Sequence, residues 1–224
     1  MTGTEAEECI AIVARVGPVI LSTVPASRKG PDASELRHSV GAMIAHAGDL
    51  LASHGFSEAM RSCLDQARLA GASLPSMGQV RLAALNESPV SLPATLTVLC
   101  IVRLCLAQEA RIVGEMAFAS RDDASNTVAE MTTAFSEAAE VASNDLDAGS
   151  YMAIINLQAT VIKRLVDVGR TLPRVITYSY AGVMPALTMA QRAYADADRA
   201  QELINENKVV HPAFMPMTGR MLAV

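Results

Sequence analysis

The sequence predicts a mainly α protein: an antiparallel helical bundle with a small C-terminal strand-helix-helix-strand module. Aromatic residues make up only 4% of the chain, with no Trp, whereas Ala and Met are abundant and β-branched residues rarely cluster. That composition favours helix. Apolar residues recur at helical intervals along most of the chain. The pattern then changes to alternation and β-branching over Thr171-Leu-Pro-Arg-Val-Ile-Thr-Tyr-Ser-Tyr180, which reads as a strand. At 224 residues the chain can bury a sizeable core and fits one large domain with an appendage. The expected division is a bundle over residues 1–170 and a module over 171–224.

A first helix is expected from about Glu5 to Leu21, with Cys9, Ile12, Val13, Val16 and Ile20 on one face and a kink at Gly17-Pro18. Val24 to Pro31 is a loop by composition. Asp32 and Glu35 stand at capping-box spacing before a helix carrying Leu36, Val40, Met43, Ile44, Ala47, Leu50 and Leu51, which Gly55 should end. Ser57 caps a third helix to about Ala70, packing Met60, Leu64 and Ala67. A short helical piece around Gln79 to Leu85 follows. Pro93 then suits the first turn of a long helix to about Ala119, apolar nearly all round until Gln108 and therefore central.

Ser120 and Asp123 repeat the capping-box spacing, opening a helix to about Ala142 through Val128, Met131, Phe135 and Ala138. After the Asn144 to Gly149 turn, a further helix carries Met152, Ile155, Ala159, Ile162, Leu165 and Val166. Long helices joined by short turns pack as antiparallel neighbours. Beyond the strand, Pro185 to Tyr194 and Asp198 to Asn207 read as two short helices, and Arg220 to Val224 as a second strand.

Several function classes are disfavoured. The most apolar stretch, Leu96 to Ile112, is interrupted by Arg103, Gln108, Glu109 and Arg111, so no membrane span is expected. The acidic start, Met1 to Glu8, has the wrong sign for a secretory or transit segment, and the protein is expected to stay in the cytoplasm where it is made. A net charge of −5, with 18 basic residues spread singly, provides no electropositive stripe for nucleic acid. Cys9, Cys63, Cys100 and Cys105 lack Cys-x-x-Cys spacing and read as buried free thiols. His38, His46 and His54 recur every eight residues, a step that rotates each side chain by about 80° and advances it about 12 Å on a helix, so they cannot share one ion without another chain. The carboxylates Asp122, Asp123, Asp145 and Asp147 fall at helix starts, where they complement the macrodipole. Neither a Gly-rich phosphate loop, a Gly-x-Ser-x-Gly elbow nor a His-Glu-x-x-His pair occurs. The reading is therefore a non-enzyme with no cofactor and no metal.

The hydrophobic fraction of 51% and mean hydropathy of +0.28 imply apolar surface that faces other chains. Of the twelve methionines, Met184, Met189, Met215 and Met217 fall in the final module. Met215 and Met217, in a Pro-bounded extended run, suit an adaptable contact surface.

The stretch made of Leu172-Pro-Arg-Val, Pro185 to Tyr194, Asp196 to Ala200, Glu202 to Asn207 and His211-Pro-Ala-Phe-Met-Pro216 resembles the C-terminal part of the DNA circularisation protein N family, tail proteins of Mu-like bacteriophages. It also looks like a degenerate LysM module: strand, a Tyr-Gly-Asp helix, a helix ending in Asn, a Pro-containing loop, then Pro-x-Gly before the last strand. Here Ala195-Asp196 replaces Gly-Asp, and Met217-Thr218 stands between Pro216 and Gly219. Asn207 is suited to the left-handed end of a helix, His211-Pro212 to an extended or turn backbone, and Gly219 to the reversal into the last strand. Tyr194, Leu203 and Ile204 would supply a small core.

The resemblance implies a structural virion protein of a phage tail baseplate or tail tip, made in the host cytoplasm and homo-oligomeric in a symmetric assembly. Its partners would be hub, tube or spike proteins. The expected docking element is Val209 to Met217 with Phe214 as apolar anchor, and the candidate protein-binding residues are Asn207, His211, Pro212, Phe214, Met215 and Met217. Two alternatives are a LysM-like protein that binds peptidoglycan and a cytoplasmic helical adaptor.

Overall fold

The computed structural model describes residues 2–223. Among them the chain is mainly helical, 71% helix in ten α-helices, with one two-stranded antiparallel sheet near the C-terminus. It divides into two compact units, Met1–Met116 with Thr133–Val161, and Ala117–Thr132 with Ile162–Val224. Two long helices, α7 (Arg121–Asn144) and α8 (Ala148–Thr171), contribute to both. The start of α7 and the end of α8 thus belong with the strand-helix-helix-strand segment that the sequence sets off from residue 171.

The first unit opens with α1 (Gly3–Ser22), started by a reciprocal capping box between Thr2 and Glu5. Cys9, Ile12, Val13, Val16 and Ile20 are its buried face, as the periodicity predicts. The helix runs on past Pro18 to Ser22. Gly17 is buried too, and a Cβ there would stand 2.5 Å from Ile44 Cδ1, so the glycine lets α1 approach α2 (Pro31–Ala45) closely. The α2 start differs from the expected Asp32–Glu35 capping box. Gly30, at φ 146°, occupies the cap, Pro31 fills the first turn, and Glu35 accepts instead from Ser39 Oγ at 3.3 Å.

The expected single helix to Leu51 is interrupted at His46 (φ −108°, ψ 18°), after which α3 (Ala47–Ala52) restarts. His54, at φ 60°, takes the left-handed turn expected of Gly55, which instead caps α4 (Phe56–Leu69). The Ser73–Ser76 capping box opens α5 (Leu74–Leu85), which is longer than the periodicity indicates. The central position of α6 (Leu92–Glu115) follows from its contacts with α1, α4 and α5. Its buried set extends beyond the apolar run to Gln108 and Glu109. Gln108 Nε2 donates to Asp65 Oδ1 at 3.0 Å, and Glu109 Oε1 accepts from Arg81 Nε at 3.0 Å, so the Glu109 carboxylate and the Gln108 donor are partnered in the interior while Gln108 Oε1 is buried without a hydrogen bond. At the start of α8, Asp147 caps Ser150 N–H and takes Arg103 from α6 at 3.0 Å.

In the second unit Ser120 makes its half of the expected capping box, Asp123 N–H donating to Ser120 Oγ at 3.1 Å, whereas the Asp123 carboxylate accepts at 2.7 Å from the Ser120 hydroxyl and not from its backbone N–H. β1 (Val175–Ser179) pairs antiparallel with β2 (Thr218–Leu222), with Tyr178 opposite Gly219. Between them lie α9 (Ala186–Tyr194), a 3-10 turn (Ala197–Arg199) and α10 (Ala200–Asn207). Tyr178, Met189, Ala190, Tyr194, Leu203, Met215 and Met221 form the buried core of this module. Each large apolar side chain buried there contributes about 1.5–3 kcal/mol.

Candidate docking site

Between the end of α10 and the start of β2 the chain runs through a segment with no Asp, Glu, Lys or Arg, from Val209 to Met217. Hydrogen bonds fix it at successive points. Lys208 adopts the left-handed conformation (φ 50°, ψ 41°), and Val209 N–H returns to Ile204 O at 3.1 Å, ending α10. Pro212 O then accepts from Ala186 N–H at 2.7 Å, supplying a partner to an α9 start whose Pro185 cap has no side-chain acceptor. Phe214 N–H closes a turn onto His211 O at 2.9 Å. Met215 N–H reaches Met184 O at 3.1 Å in an isolated antiparallel bridge.

These ties separate the six sequence-nominated residues into two groups. Met215 is fully buried in the module core, and Asn207 turns its amide inward. Asn207 Nδ2 donates to Leu203 O and to Arg220 O, and its Oδ1 accepts from Arg220 N–H, each at 2.8 Å. Lys208, and not Asn207, is the left-handed residue; Asn207 instead joins the α10 end to β2. Gly219 is a close-approach glycine: a Cβ there would overlap Asn207 Oδ1 and the Tyr178 ring. It already lies within β2, so the chain reversal is made upstream of it.

His211, Pro212, Phe214 and Met217 are exposed, Phe214 by 70%. Phe214 closes the turn from His211 just before the chain enters the bridge at Met215, and its side chain is left outside the core that takes up Met215. Val183, Val210 and Leu187 are further exposed apolar side chains of the module. Leu187 was legible in principle, since it falls off the Ala186, Met189, Ala190 face that buries α9. Beside the segment lies an open cleft of about 520 Å³, lined by Leu187, Ala197, Gln201, Ile204, Pro212 and Ala213 among others, so its walls are mainly apolar.

The frame beneath is tied by Tyr194, whereas the Tyr178 hydroxyl is buried without a hydrogen bond. Tyr194 Oη accepts from Leu222 N–H at 3.1 Å, and the Arg199 guanidinium lies 3.9 Å over its ring, itself paired with Glu202 at 2.7 Å. Burial holds the Tyr194 and Tyr178 phenols above the ordinary tyrosine value. Among the described residues no group of His, Cys, Asp or Glu is arranged to hold a metal ion, and no helix is long and apolar enough to cross a membrane. The arrangement is suited to holding an apolar contact. Comparison of the sequence with family models and with curated proteins finds no match.

Proposed function

We propose that the protein is a structural assembly component of a phage tail baseplate or tail tip, docking onto neighbouring tail proteins through its C-terminal module. The observation that carries the docking reading is Phe214, 70% exposed on a segment held by Ala186, Met184 and Ile204. An aromatic anchor presented on an already ordered backbone loses little conformational entropy on binding, which is the usual basis of an interface hot spot. The phage context rests on the resemblance of the residues between Leu172 and Pro216 set out above. The apolar character of the chain agrees with a protein that buries surface against copies and neighbours in a symmetric particle.

The test replaces Phe214 by Ala and compares particle assembly with the unfolding curve of the purified chain. Loss of assembly with an unchanged curve is expected, and unimpaired assembly overturns the reading. The alternative, binding of a cell-wall glycan, rests on the LysM-like pattern of the module and not on the mainly apolar cleft beside Pro212. Retention of the purified protein by peptidoglycan would select that alternative, whereas a baseplate component passes through unbound.

A further inference from the structure

The two outer edges of the small sheet are treated differently. Ala223 N–H donates to Arg174 O and Tyr180 N–H to Met217 O, both at 2.7 Å. In an antiparallel ladder this sets the even-numbered residues of β1 toward β2 and turns the backbone groups of Val175, Thr177 and Ser179 away from it. On β2 the outward groups are those of Thr218, Arg220 and Leu222. Asn207 satisfies both Arg220 groups, and Tyr194 Oη takes Leu222 N–H. Side chains thus hold the middle of that edge at Arg220 and the Leu222 donor beside it.

On β1 only one outward donor is held, Val175 N–H, which reaches Asp122 Oδ2 at 3.2 Å. The outward N–H and C=O groups of Thr177 and Ser179 meet no partner among the described residues, and both residues are exposed. Folded proteins usually protect such an edge with a charge, a proline or a covering element. From Val175 to Met184 there is neither a charged residue nor a proline.

We infer that the free edge of β1 pairs antiparallel with β1 of a second copy of this chain, about a two-fold axis at Tyr178. In this register Thr177 lies opposite the second copy's Ser179, and the outward backbone groups of both residues are satisfied in both copies. On the other face Ile176, 44% exposed, meets the second copy's Tyr180, an apolar cross-strand pair of the kind that stabilises sheets. A two-fold at Thr177 would instead set Val175 against Ser179 and require the N–H that Asp122 already holds. The strand is self-complementary and uncharged, so no like charges oppose one another in this register. It is also short, and its contact is smaller than the roughly 1,200–2,000 Å² of a stable complex. Association in solution is therefore weak and concentration-dependent, and is strengthened where copies are arrayed. This pairing does not involve Phe214.

Sedimentation of the full chain over a concentration series, with hydrogen exchange read at the Thr177 and Ser179 amides, tests the pairing. Reversible dimerisation is expected, with exchange at those two amides slowing as concentration rises. Placing Lys at both positions (Thr177→Lys with Ser179→Lys) sets like charges directly opposite each other and should weaken the dimer by about tenfold or more. The Thr177→Lys, Ser179→Glu variant sets opposite charges across the same pairs and should restore association to within about threefold of the unaltered chain. Phe214→Ala should leave the dimer intact. A chain that stays monomeric at every concentration, a Lys/Lys variant that dimerises as the unaltered chain does, or a Lys/Glu variant no better than Lys/Lys would each overturn the inference. The exchange measurement uses the unaltered chain, so it decides the matter even where a variant folds poorly.

Discussion

The side-chain amide of Asn207 pairs with the backbone of Arg220 as a neighbouring strand would: Oδ1 accepts from its N–H and Nδ2 donates to its C=O, both at 2.8 Å. The same Nδ2 also donates to Leu203 O, so one amide closes the end of α10 and the outer edge of β2 together. Removing it leaves the Leu203 and Arg220 groups to find water. Asn207→Ala should destabilise the C-terminal unit by about 2–3 kcal/mol. Asn207→Asp should be no milder, because it replaces a donor by an acceptor facing two carbonyl oxygens. Chemical denaturation of both variants checks this; an Asp variant as stable as the unaltered chain would contradict the pairing.

Ala195 ends α9 in the left-handed conformation, φ 57° and ψ 20°. A Cβ in that region costs about 1–2 kcal/mol, while glycine avoids the clash but gives up about 0.5–1 kcal/mol of unfolded-state entropy. Ala195→Gly should therefore stabilise the module by about 0.5–1 kcal/mol. Urea unfolding is the measurement, and a loss of stability would show that the turn relaxes to another conformation in solution.

Adjacent residues of the docking segment should separate stability from association. Met215 is fully buried against the module core, so Met215→Ala should cost about 2–5 kcal/mol. Phe214 is mostly exposed, and Phe214→Ala should change stability by less than about 0.5 kcal/mol. Paired unfolding curves decide it: comparable losses for the two would mean that Phe214 packs against its own chain.

What could be read ahead of the structure was what periodicity reports. The buried faces of α1, α2 and α4 lie at the expected positions because a helix repeats its apolar residues wherever it meets a core. The interruption at His46 escaped that signal, since the apolar recurrence from Leu36 to Leu51 continues across it with no Pro at the break, and Gly41 and Gly48 lie to either side of it. In the docking segment, the residue types predicted a Pro-spaced extended run, where the structure turns the chain from His211 to Phe214 before the bridge at Met215. They could not divide Phe214 from Met215, because the division is made by a bridge to Met184, far away in the chain. The role of Asn207 was half legible for the same reason: a helix end is local, whereas its bonds to Arg220 depend on how β2 returns. Glu109 was noted only as an interruption of an apolar helix, and its burial depends on Arg81 of α5.

The four cysteines should be nearly inert in the folded protein. Cys9, Cys63 and Cys105 are buried, and Cys100 is half-buried. Burial pushes the Cys63 thiol up to about 11 and raises Cys105 and Cys100 as well. Because the thiolate is the reactive species, Ellman's reagent near pH 8 should label at most Cys100, slowly, and all four residues once the chain is denatured. Rapid native labelling of Cys63 or Cys105, mapped by mass spectrometry, would show that α4 or α6 opens readily.

Glu109 should give the first unit a stability component that favours acid. Its carboxyl is raised above the ordinary value of 4.5, chiefly by burial, against the opposing charge and hydrogen bond of Arg81. The folded state thus binds this proton more tightly than the unfolded state. The stability so contributed is fully present below the unfolded value and is lost as pH rises through the folded one. Glu109→Gln cannot titrate and keeps an oxygen for Arg81 Nε. The stability of the unaltered chain minus that of the variant should therefore be greater near pH 4.5 than at about pH 7. The surface carboxylates Glu87 and Asp147 shift downward through their hydrogen bonds and have the opposite pH dependence, but they are common to both proteins and cancel in the difference. Urea titrations at the two pH values test the sign. A difference that grows toward neutral pH would mean that the Arg81 pairing outweighs the desolvation of Glu109.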